Sequence, residues 1–360
     1  MAVVMGAGGP RRAAIVGTGL IGGSIGLALR EQGWHVSGTD RNEAMAARAV
    51  ELGAIDVVGP DPDAELTFIA TSVGVIPALV KEALDTTAGL VTDVGSVKTP
   101  MLELMDDPRY VGGHPMAGSE LEGVDGARAD LFSNATWVLT PTSGTDDAAF
   151  AEIRSVVSSF GADVVAIPPE RHDSMVAVVS HIPHLTAATL MRLAAERAVE
   201  HRALLRLAAG GFRDMTRIAA GHPGIWPDIC AENRVAIVDE LDRLIDALSG
   251  VRAIVADGDR SALTAVLEQA REARIALPAG YSLSADLVEV RVPIPDRKGM
   301  LAQITTLATE LDVSIADIEI AHSSEGPQGV LILVVEESSG DLLRAGLIGA
   351  GYRPSIQKLA

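Results

Sequence analysis

The sequence predicts an α/β chain with three domains: an open, mostly parallel sheet with helices on both faces, an all-helical middle domain, and a small ferredoxin-like βαββαβ sandwich. Three observations support this. Short apolar runs alternate with helical stretches up to about residue 168, strand-forming runs are missing between residues 170 and 274, and a strand–helix pattern restarts after residue 285. The 360 residues are enough for two or three cores, because single cores rarely grow beyond about 250–300 residues.

The first domain is placed at residues 10–169. Its predicted strands are Ala13–Val16, His35–Thr39, Leu66–Ala70, Leu90–Val94, Tyr110–Gly113, Thr136–Thr140 and Asp163–Ile167. Its predicted helices include Leu20–Gln32, Glu43–Leu52, Ile76–Leu84 and Asp146–Phe160. Alternation of this kind is typical of parallel sheets, although the sequence leaves the direction of the later strands open.

The second domain is placed at residues 170–280, and the third at residues 285–360. In the second, apolar residues recur every three or four positions, as in Ile237, Leu241, Leu244 and Leu248, which predicts helices. The segment Leu277–Ser284, with Pro278 and Gly280, is expected to be a linker. The third has strands at Asp286–Val292, Val313–Ala321, Gly329–Glu336 and Tyr352–Leu359, and helices at Gly299–Leu311 and Gly340–Ile348.

A glycine-rich turn joins the first predicted strand to the first helix. Gly17, Gly19 and Gly22 form a G-x-G-x-x-G motif, with Leu20 and Ile21 between the last two glycines. Gly17 permits a tight turn, Gly19 lets the backbone approach a pyrophosphate, and Gly22 lets the helix pack closely on the strand. The context predicts a Rossmann-type dinucleotide-binding domain, with the cofactor phosphates facing the helix N-terminus.

Asp40 lies 18 residues past Gly22, at the end of the second predicted strand. A carboxylate there accepts hydrogen bonds from the adenosine ribose and repels a 2′-phosphate, which favours NAD over NADP. The neighbouring Arg41 leaves NADP open, because a guanidinium can bind that phosphate. Ser72, just after the third predicted strand, completes the candidate cofactor-binding residues.

Polar motifs follow two further predicted strands. Ser96 lies in the segment Thr92–Lys98, and His114 lies in the segment Gly112–Glu120. Because ligands of α/β folds bind at the carboxyl ends of the strands, His114 is a candidate site residue rather than a turn histidine. The flanking glycines and nearby Glu120 favour this interpretation.

The helical domain carries a third and a fourth polar segment. His181 and His184 in the segment Ser180–His184 share a helix face, but no further ligand follows at helical spacing, so no metal is expected. Arg213 and Arg217 flank Asp214 in the segment Gly210–Arg217, and guanidiniums so spaced suit carboxylates, with a solvated Arg/Asp helix face as the open alternative. Trp226 is a candidate pocket residue, with a core role left open.

Composition excludes several function classes. Lys and Arg total 29 against 48 Asp and Glu, so the net charge of −19 argues against a partner that is a nucleic acid or an anionic membrane. The single cysteine, Cys230, excludes an intrachain disulfide and fits a reducing compartment. Arg11-Arg12 precedes the uncharged stretch Ala13–Leu29, but its five glycines and the charged residues that follow favour a strand, turn and helix over an export signal. We expect a cytoplasmic protein.

Together these residues resemble the prephenate/arogenate dehydrogenase family of tyrosine biosynthesis. The resemblance rests on Gly17–Ser24, Asp93–Lys98, Gly113–Glu120, Ser180–Leu185 and Gly211–Arg217, which spread over roughly residues 10–280. The segment Pro295–Leu301 resembles the first loop of an ACT domain, a small amino-acid sensor, with Lys298 where that loop usually has Pro.

The resemblance implies an NAD-dependent oxidative decarboxylation, in which His114 takes a hydroxyl proton and Ser96 holds that hydroxyl. It implies that Arg217 binds a substrate carboxylate, and that Glu120 pairs with it. Further substrate-binding residues would be Ser180, His181, His184, Gly210, Arg213, Asp214 and Trp226. The implied substrate is prephenate or arogenate, the implied assembly is a homodimer, and tyrosine is a possible effector.

Two other functions stay open as competitors. A β-hydroxyacid dehydrogenase shares the domain order but normally uses a lysine of the helical domain, and this chain has no lysine between Lys98 and Lys298. A non-catalytic sensor of NAD and an amino acid would leave His114 and Arg217 idle, and would show no turnover despite binding NAD.

Overall fold

The computed structural model describes residues 9–104, 107–119, 121, 123–200, 204–277, 287–295, 297, 299–322 and 328–358. The chain forms two compact units, Met1–Ala276 and Leu277–Ala360. The division into three domains at residues 169 and 285 stays a prediction. Of the expected linker, only Leu277 lies within the described residues.

A single sheet is the centre of the first unit. Its strands within the described residues are β1 (Arg12–Val16), β2 (His35–Thr39), β3 (Val57–Val58), β4 (Leu66–Ile69), β5 (Leu90–Asp93), β6 (Tyr110–Pro115), β7 (Thr136–Thr140) and β8 (Asp163–Ala166). The order is β3-β2-β1-β4-β5-β6-β7-β8. Neighbouring strands are parallel except β6 and β7, which are antiparallel. This confirms the predicted sheet and settles the direction of its later strands.

Four helices accompany the sheet: α1 (Leu20–Glu31), α2 (Glu43–Glu51), α3 (Ile76–Thr86) and α4 (Asp147–Ser158). The core between sheet and helices contains fully buried Ile15, Phe68, Phe132 and Trp137. The parallel strands β1–β6 place their carboxyl ends at one edge, which is where parallel α/β sheets bind ligands. That edge carries the glycine turn after β1, the turn after β5, and His114 at the end of β6.

The rest of the first unit is helical in its described part, as predicted. Its helices are α5 (Pro169–Val176), α6 (Ile182–Glu200), α7 (Gly210–Thr216), α8 (Trp226–Glu232), α9 (Arg234–Asp257) and α10 (Arg260–Ile275). A π-helical turn, Ala177–His181, joins α5 to α6 without a break in the helix. Such turns are rare in proteins, and those that occur often lie at functional sites.

The joined helix Pro169–Ala198 is long and apolar enough to cross a membrane, the one described helix that meets both criteria. Length and composition alone are weak evidence, because core helices of soluble proteins meet the same criteria. The exposed apolar residues on α9, such as Val235 and Leu248, show that the helical part has a second apolar surface beyond this helix.

The second unit is a βαββαβ sandwich, as predicted. Its elements are β9 (Leu287–Pro295), α11 (Met300–Glu310), β10 (Ile315–His322), β11 (Gln328–Glu336), α12 (Glu337–Gly349) and β12 (Ser355–Lys358). The antiparallel sheet has the order β10-β11-β9-β12. Alternate residues of β9, including Val290 and Val292, are buried together with Ile304 and Leu343 of the helices. Lys298 lies outside the described residues, and the ACT assignment stays a prediction.

Candidate active site

The glycine turn after β1 has the shape that a dinucleotide requires. Gly17 has a φ of +96°, and a Cβ atom there would lie 2.2 Å from the Ala70 carbonyl oxygen. A Cβ at Gly22 would lie 1.9 Å from the Gly17 oxygen, whereas a Cβ at Gly19 would meet no atom within 4 Å. The turn is therefore closed towards the protein and open outwards at Gly19.

The first turn of α1 is free to bind an anion. The first backbone N–H groups of an α-helix have no intrahelical partner. No side chain among the described residues caps this helix at Gly19 in their place. Leu20 and Ile21 in this turn line a cavity. Thr71, which lines the same cavity, has a hydroxyl with no hydrogen-bond partner in the described part of the chain. These residues fit the phosphates and adjoining ribose of a bound dinucleotide.

Asp40 lies directly beside this turn. Its carboxylate accepts hydrogen bonds from the backbone N–H of Thr18 at 2.9 Å and of Asn42 at 2.9 Å. Asp40 is half-buried, and Arg41 next to it is exposed. The structure thus brings Asp40 to the glycine motif, as the sequence predicts.

A cavity of about 540 Å³ connects the glycine turn with the helical region. Residues from six segments line it: Gly19–Ile21, Ala70–Val73, Val94–Ser96, His114–Ala117, Ser180–His181 and residues 225, 226, 228 and 229 at α8. The candidate residues Ser72, Ser96, His114, Ser180 and Trp226 are therefore brought together by the fold. Gly17, Gly22 and Asp40 support the cavity from outside its lining.

His114 is buried and is part of a chain of hydrogen-bonded side chains. Its Nδ1 lies 2.9 Å from Nε2 of His172, and Nδ1 of His172 lies 2.7 Å from the Asp173 carboxylate. Burial lowers the pKa of His114 well below its usual value, with further lowering by His172, Lys98 and His181. His114 is therefore a neutral imidazole at pH 7, the form that accepts a proton.

A buried ion pair holds the turn that carries Ser96. Lys98 Nζ lies 2.5 Å from Oδ1 of Asp93, and both side chains have no exposed surface. The Tyr110 hydroxyl donates a hydrogen bond of 2.5 Å to Oδ2 of Asp93, and the Gly95 N–H donates one of 2.7 Å to Oδ1. Burial, followed by the charge of Asp93, raises the pKa of Tyr110 well above its usual value. The tyrosine therefore keeps its proton and acts as a donor.

The π-helical turn brings His181 to the cavity wall. The Asn233 side-chain amide donates to the Asp173 carbonyl oxygen at 2.9 Å and lies 3.2 Å from Nδ1 of His181. Burial lowers the pKa of His181 to about 4, the nearby charge of Asp173 acting in the opposite direction. Since the amide nitrogen can only donate, His181 presents a protonated Nε2 as its remaining ring nitrogen.

His184 does not line the cavity but stacks on Trp226, which does. The ring centroids are 3.7 Å apart and the planes are within 11° of parallel. Burial lowers the pKa of His184, so the stacked ring is neutral at pH 7. Trp226 therefore lines the helical side of the cavity, and His184 packs on its ring.

The cationic segment lies apart from the described lining. Gly210, Arg213 and Asp214 on α7 are exposed, and so is Arg217, which begins a 3₁₀ turn where α7 ends. Arg213 Nε donates to the Ala208 carbonyl oxygen. Glu120 lies outside the described residues. The structure therefore does not bring the two arginines into contact with His114.

Several site residues were missed by reasoning from sequence. They are His172, Asp173, Asn233 and the Asp93–Lys98 pair. A usable signal exists for the first two, because Pro169, His172, Asp173 and Val176 are spaced to share the buried face of α5. No group of three or more potential ligands for a metal ion occurs in the described part of the chain.

Comparison with known proteins gives concordant matches. Residues 25–166 match the family model described as prephenate dehydrogenase, nucleotide-binding domain, and residues 168–269 match the one described as prephenate dehydrogenase, dimerization domain. A prephenate dehydrogenase of Bacillus subtilis is 33% identical over 333 residues, which cover 88% of this chain and 90% of the relative.

Two solved structures match this chain over about three quarters of its length. One is a prephenate dehydrogenase from A. aeolicus in complex with hydroxyphenyl propionate and NAD+, with a TM-score of 0.70 and 29% identity over 75% of this chain and 99% of the other. The other is a Synechocystis arogenate dehydrogenase, with a TM-score of 0.65 and 31% identity over 73% and 98% of the two chains.

Proposed function

Since the chain belongs to the prephenate dehydrogenase family, we infer that it catalyses the NAD-dependent oxidative decarboxylation of prephenate to 4-hydroxyphenylpyruvate, a step of tyrosine biosynthesis. The observation that carries this function is the cavity that connects the glycine turn with His114. A neutral histidine beside a dinucleotide site suits the removal of a proton and a hydride from one carbon–oxygen unit.

The reaction converts a cyclohexadienol to a phenol. A hydride leaves C4 of the ring, the C4 hydroxyl gives up its proton, the ring carboxylate leaves as carbon dioxide, and the phenolate oxygen then takes a proton. NAD would supply the hydride acceptor, and the glycine turn and Asp40 would hold it. Because aromatisation drives the reaction, the protein's contribution is to position the ring and the proton acceptor.

His114 is the proposed proton acceptor. It is 9% exposed and lies on the cavity wall, and its burial lowers its pKa. Ser96 is the proposed hydrogen-bond partner of the C4 hydroxyl and of the nicotinamide end, since it lines the same cavity as His114 and the glycine turn. Ser180, His181 and the His184–Trp226 pair are proposed to contact the ring or its side chain.

Arg217 is the proposed partner of a substrate carboxylate. Prephenate carries two carboxylates, and a guanidinium binds one bidentately. The 3₁₀ turn that begins with Arg217 packs near His184, since the Cβ position at Gly221 lies 4.0 Å from Cε1 of His184. Glu120 is proposed to pair with Arg217, Asp214 to orient a neighbouring guanidinium, and Arg213 and Gly210 to shape the segment.

The test is an assay of NADH or NADPH formation with four combinations of substrate and cofactor. We expect rapid turnover with prephenate and NAD. Arogenate is the second candidate substrate, because an arogenate dehydrogenase is 31% identical over 73% of this chain. The absence of turnover in every combination, by folded protein that binds NAD, would favour the sensor.

Two variants test the roles of individual residues. His114→Asn should lower kcat by about 10²–10⁴-fold, the usual contribution of a general base, whereas His35→Asn, on β2, should leave it unchanged. Arg217→Ala should raise the KM for prephenate at least tenfold, whereas Arg192→Ala on α6, an exposed side chain paired with Glu196, should not. A drop in kcat of less than tenfold for His114→Asn would refute its role as base.

We further propose a cytoplasmic homodimer that is formed through the helical part. The match to a dimerization domain covers residues 168–269, and Val235, Val238 and Leu248 on α9 are 71%, 48% and 57% exposed. A partner subunit would remove these apolar surfaces from water. Light scattering after size exclusion should give twice the 37.4 kDa chain mass.

Tyrosine is the proposed effector, bound either at the active site or by the second unit. Addition of tyrosine to the assay tests feedback inhibition. Calorimetric titration of the full chain with tyrosine, with and without saturating prephenate, distinguishes binding at the active site from binding by the second unit. Competition by prephenate indicates the active site.

A further inference from the structure

The buried pair His172 and Asp173 has no part in the chemistry described above. Their side chains are 1% and 3% exposed, and they lie on the inner face of α5. His172 contacts His114 through one ring nitrogen and Asp173 through the other. A fully buried polar pair that ends on the proton acceptor requires an explanation, because burial without function costs stability.

The Asp173 carboxylate is surrounded by donors. It accepts hydrogen bonds from the backbone N–H of Lys98 at 2.8 Å and of Thr99 at 2.7 Å, as well as from the Thr99 hydroxyl. Although burial raises the pKa of Asp173, the hydrogen bonds from His172, from Thr99 and from the Lys98 backbone lower it below the usual value. The carboxylate is therefore ionised and has no proton to donate.

This fixes the protons along the chain of side chains. Since the carboxylate can only accept, the proton between it and His172 belongs to Nδ1 of His172. A neutral His172 then has a bare Nε2, so the proton in the contact with His114 belongs to Nδ1 of His114. The remaining ring nitrogen of His114, Nε2, is then bare.

We propose that His172, held by Asp173, is a positioning residue that fixes the tautomer of His114 and thereby keeps its Nε2 free to accept the substrate proton. The proposal rests on the proposed function of His114 and deepens it. The same carboxylate binds the backbone that follows Ser96, so Asp173 aligns both groups proposed to contact the C4 hydroxyl.

The arrangement also accounts for the proton during turnover. His114 Nε2 takes the hydroxyl proton and the ring becomes an imidazolium, whose Nδ1–H still donates to His172. The positive charge is connected through the His172 ring to the Asp173 carboxylate, which stabilises it. The proton then returns from Nε2 to the phenolate oxygen, so no proton is left on the protein.

The opposite arrangement puts a second proton on His172. Its Nε2–H would then donate to Nδ1 of His114, and His114 would carry its proton on Nε2, where it could not act as base. That arrangement puts a positive charge on His172, close to His114 and His181. The buried ammonium of Lys98 is a second positive charge that acts on His114. The single carboxylate of Asp173 is the compensating charge in contact with His172, and it is already shared with the donors of residues 98 and 99.

A direct test reads the tautomers of the eight histidines. Full-length protein labelled with ¹⁵N-histidine is studied at pH 7.5 by two-bond ¹H–¹⁵N correlation, and the His114 signals are assigned from their loss in His114→Asn. We expect a protonated Nδ1 and a bare Nε2 on His114. In His172→Leu this preference should be lost. A protonated Nε2 on His114 in the unaltered protein overturns the proposal, whatever its activity.

Kinetics provide the second test. His172→Leu should lower kcat by about 10²–10⁴-fold, the range for loss of a base or of its correct tautomer, while the KM values for prephenate and NAD stay within about threefold. His172→Gln should recover part of the loss, since a carboxamide also carries one acceptor beside one donor. Ser174→Ala, at an exposed position of the same helix, is the matched control.

Equal kcat values for His172→Leu and Ser174→Ala would overturn the proposal. A loss in His172→Leu without recovery in His172→Gln, together with raised KM values, would also overturn it by indicating a purely structural role. If His172→Leu does not fold, the tautomer in the unaltered protein and the kinetics of His172→Gln decide. Failure of the proposed function is seen separately, as absence of turnover in the unaltered protein.

Discussion

Gly19 offers a substitution that should separate cofactor binding from folding. A Cβ atom at Gly19 meets nothing within 4 Å, and its φ of −74° is accessible to every residue. We therefore expect Gly19→Ala to fold with a stability within about 0.5 kcal/mol of the unaltered protein, since removal of a glycine at a compatible position does not destabilise. The added methyl points to the open side, where the cofactor phosphates approach.

The expected loss of affinity follows from that overlap. Forcing a methyl group into a packed contact costs about 1–3 kcal/mol, and each 1.4 kcal/mol is a factor of about ten in Kd. The Kd for NAD should therefore rise about fivefold to 150-fold, as measured by calorimetric titration, with the KM for NAD rising in parallel. The KM for prephenate should change little at saturating NAD.

Gly22→Ala is the matched control. A Cβ at Gly22 would lie 1.9 Å from the backbone oxygen of Gly17, so α1 must move away from the sheet. We expect a loss of at least about 2 kcal/mol in the free energy of unfolding, seen as a fall of several degrees in Tm. A Gly19→Ala protein that binds NAD with unaltered Kd would refute the placement of the phosphates at this turn.

Two further predictions concern buried charge. Burial lowers the pKa of His181 to about 4, whereas the unfolded side chain has a pKa near 6.5. Between these pH values unfolding therefore takes up a proton. The free energy of unfolding should fall as the pH is lowered from about 6.5 towards 4, by up to about 1.4 kcal/mol per pH unit. Urea unfolding at several pH values measures this, and a slope unchanged in His181→Gln would contradict it. Asp93→Ala should cost about 3–5 kcal/mol in the same assay, because it leaves Lys98 buried without its counter-charge, and Asp93→Leu with Lys98→Met should recover most of that loss.

Local patterns were enough to predict most of the fold. Every predicted strand of the sheet appears within one or two residues of its expected bounds, because each is a short apolar run between turn residues. β3 was missed, since it has two residues, Val57 and Val58, both exposed, and so carries no alternation. The π-helical turn was missed too, because a single inserted residue leaves the apolar spacing of a helix almost unchanged.

The candidate site was only partly predictable, for a related reason. His114 lies at the end of a strand, and the edge to which strand ends belong follows from the fold class. His172 lies 58 residues further along the chain and reaches His114 only because α5 packs against the turn after β5. Contacts of that kind depend on how helices dock on the sheet, which no local pattern encodes. Asp93 and Lys98 both stand within a recognised motif, but their pairing depends on the geometry of the turn between them.

The described lining of the cavity has no cation to bind the carboxylates of the substrate, and Arg217 is the candidate. Among its described lining residues the charged group is Asp228, while His114 and His181 are neutral at pH 7. A substrate with two carboxylates, in a chain of net charge −19, needs a cation from beyond this lining. The exposed Arg217 of the same subunit or of a partner subunit can supply it.

Mixing two impaired variants, assayed at a prephenate concentration far below the raised KM of Arg217→Ala, distinguishes these sources. The purified His114→Asn and Arg217→Ala proteins are mixed in equal amounts, unfolded in urea and refolded together, so that their subunits exchange. If Arg217 serves the cavity of the partner, each mixed dimer has one intact site, and random pairing restores about a quarter of the unaltered activity. If Arg217 serves its own cavity, every site has one defect and no activity returns. Each variant refolded alone is the control, because recovery there would reflect residual activity rather than exchange.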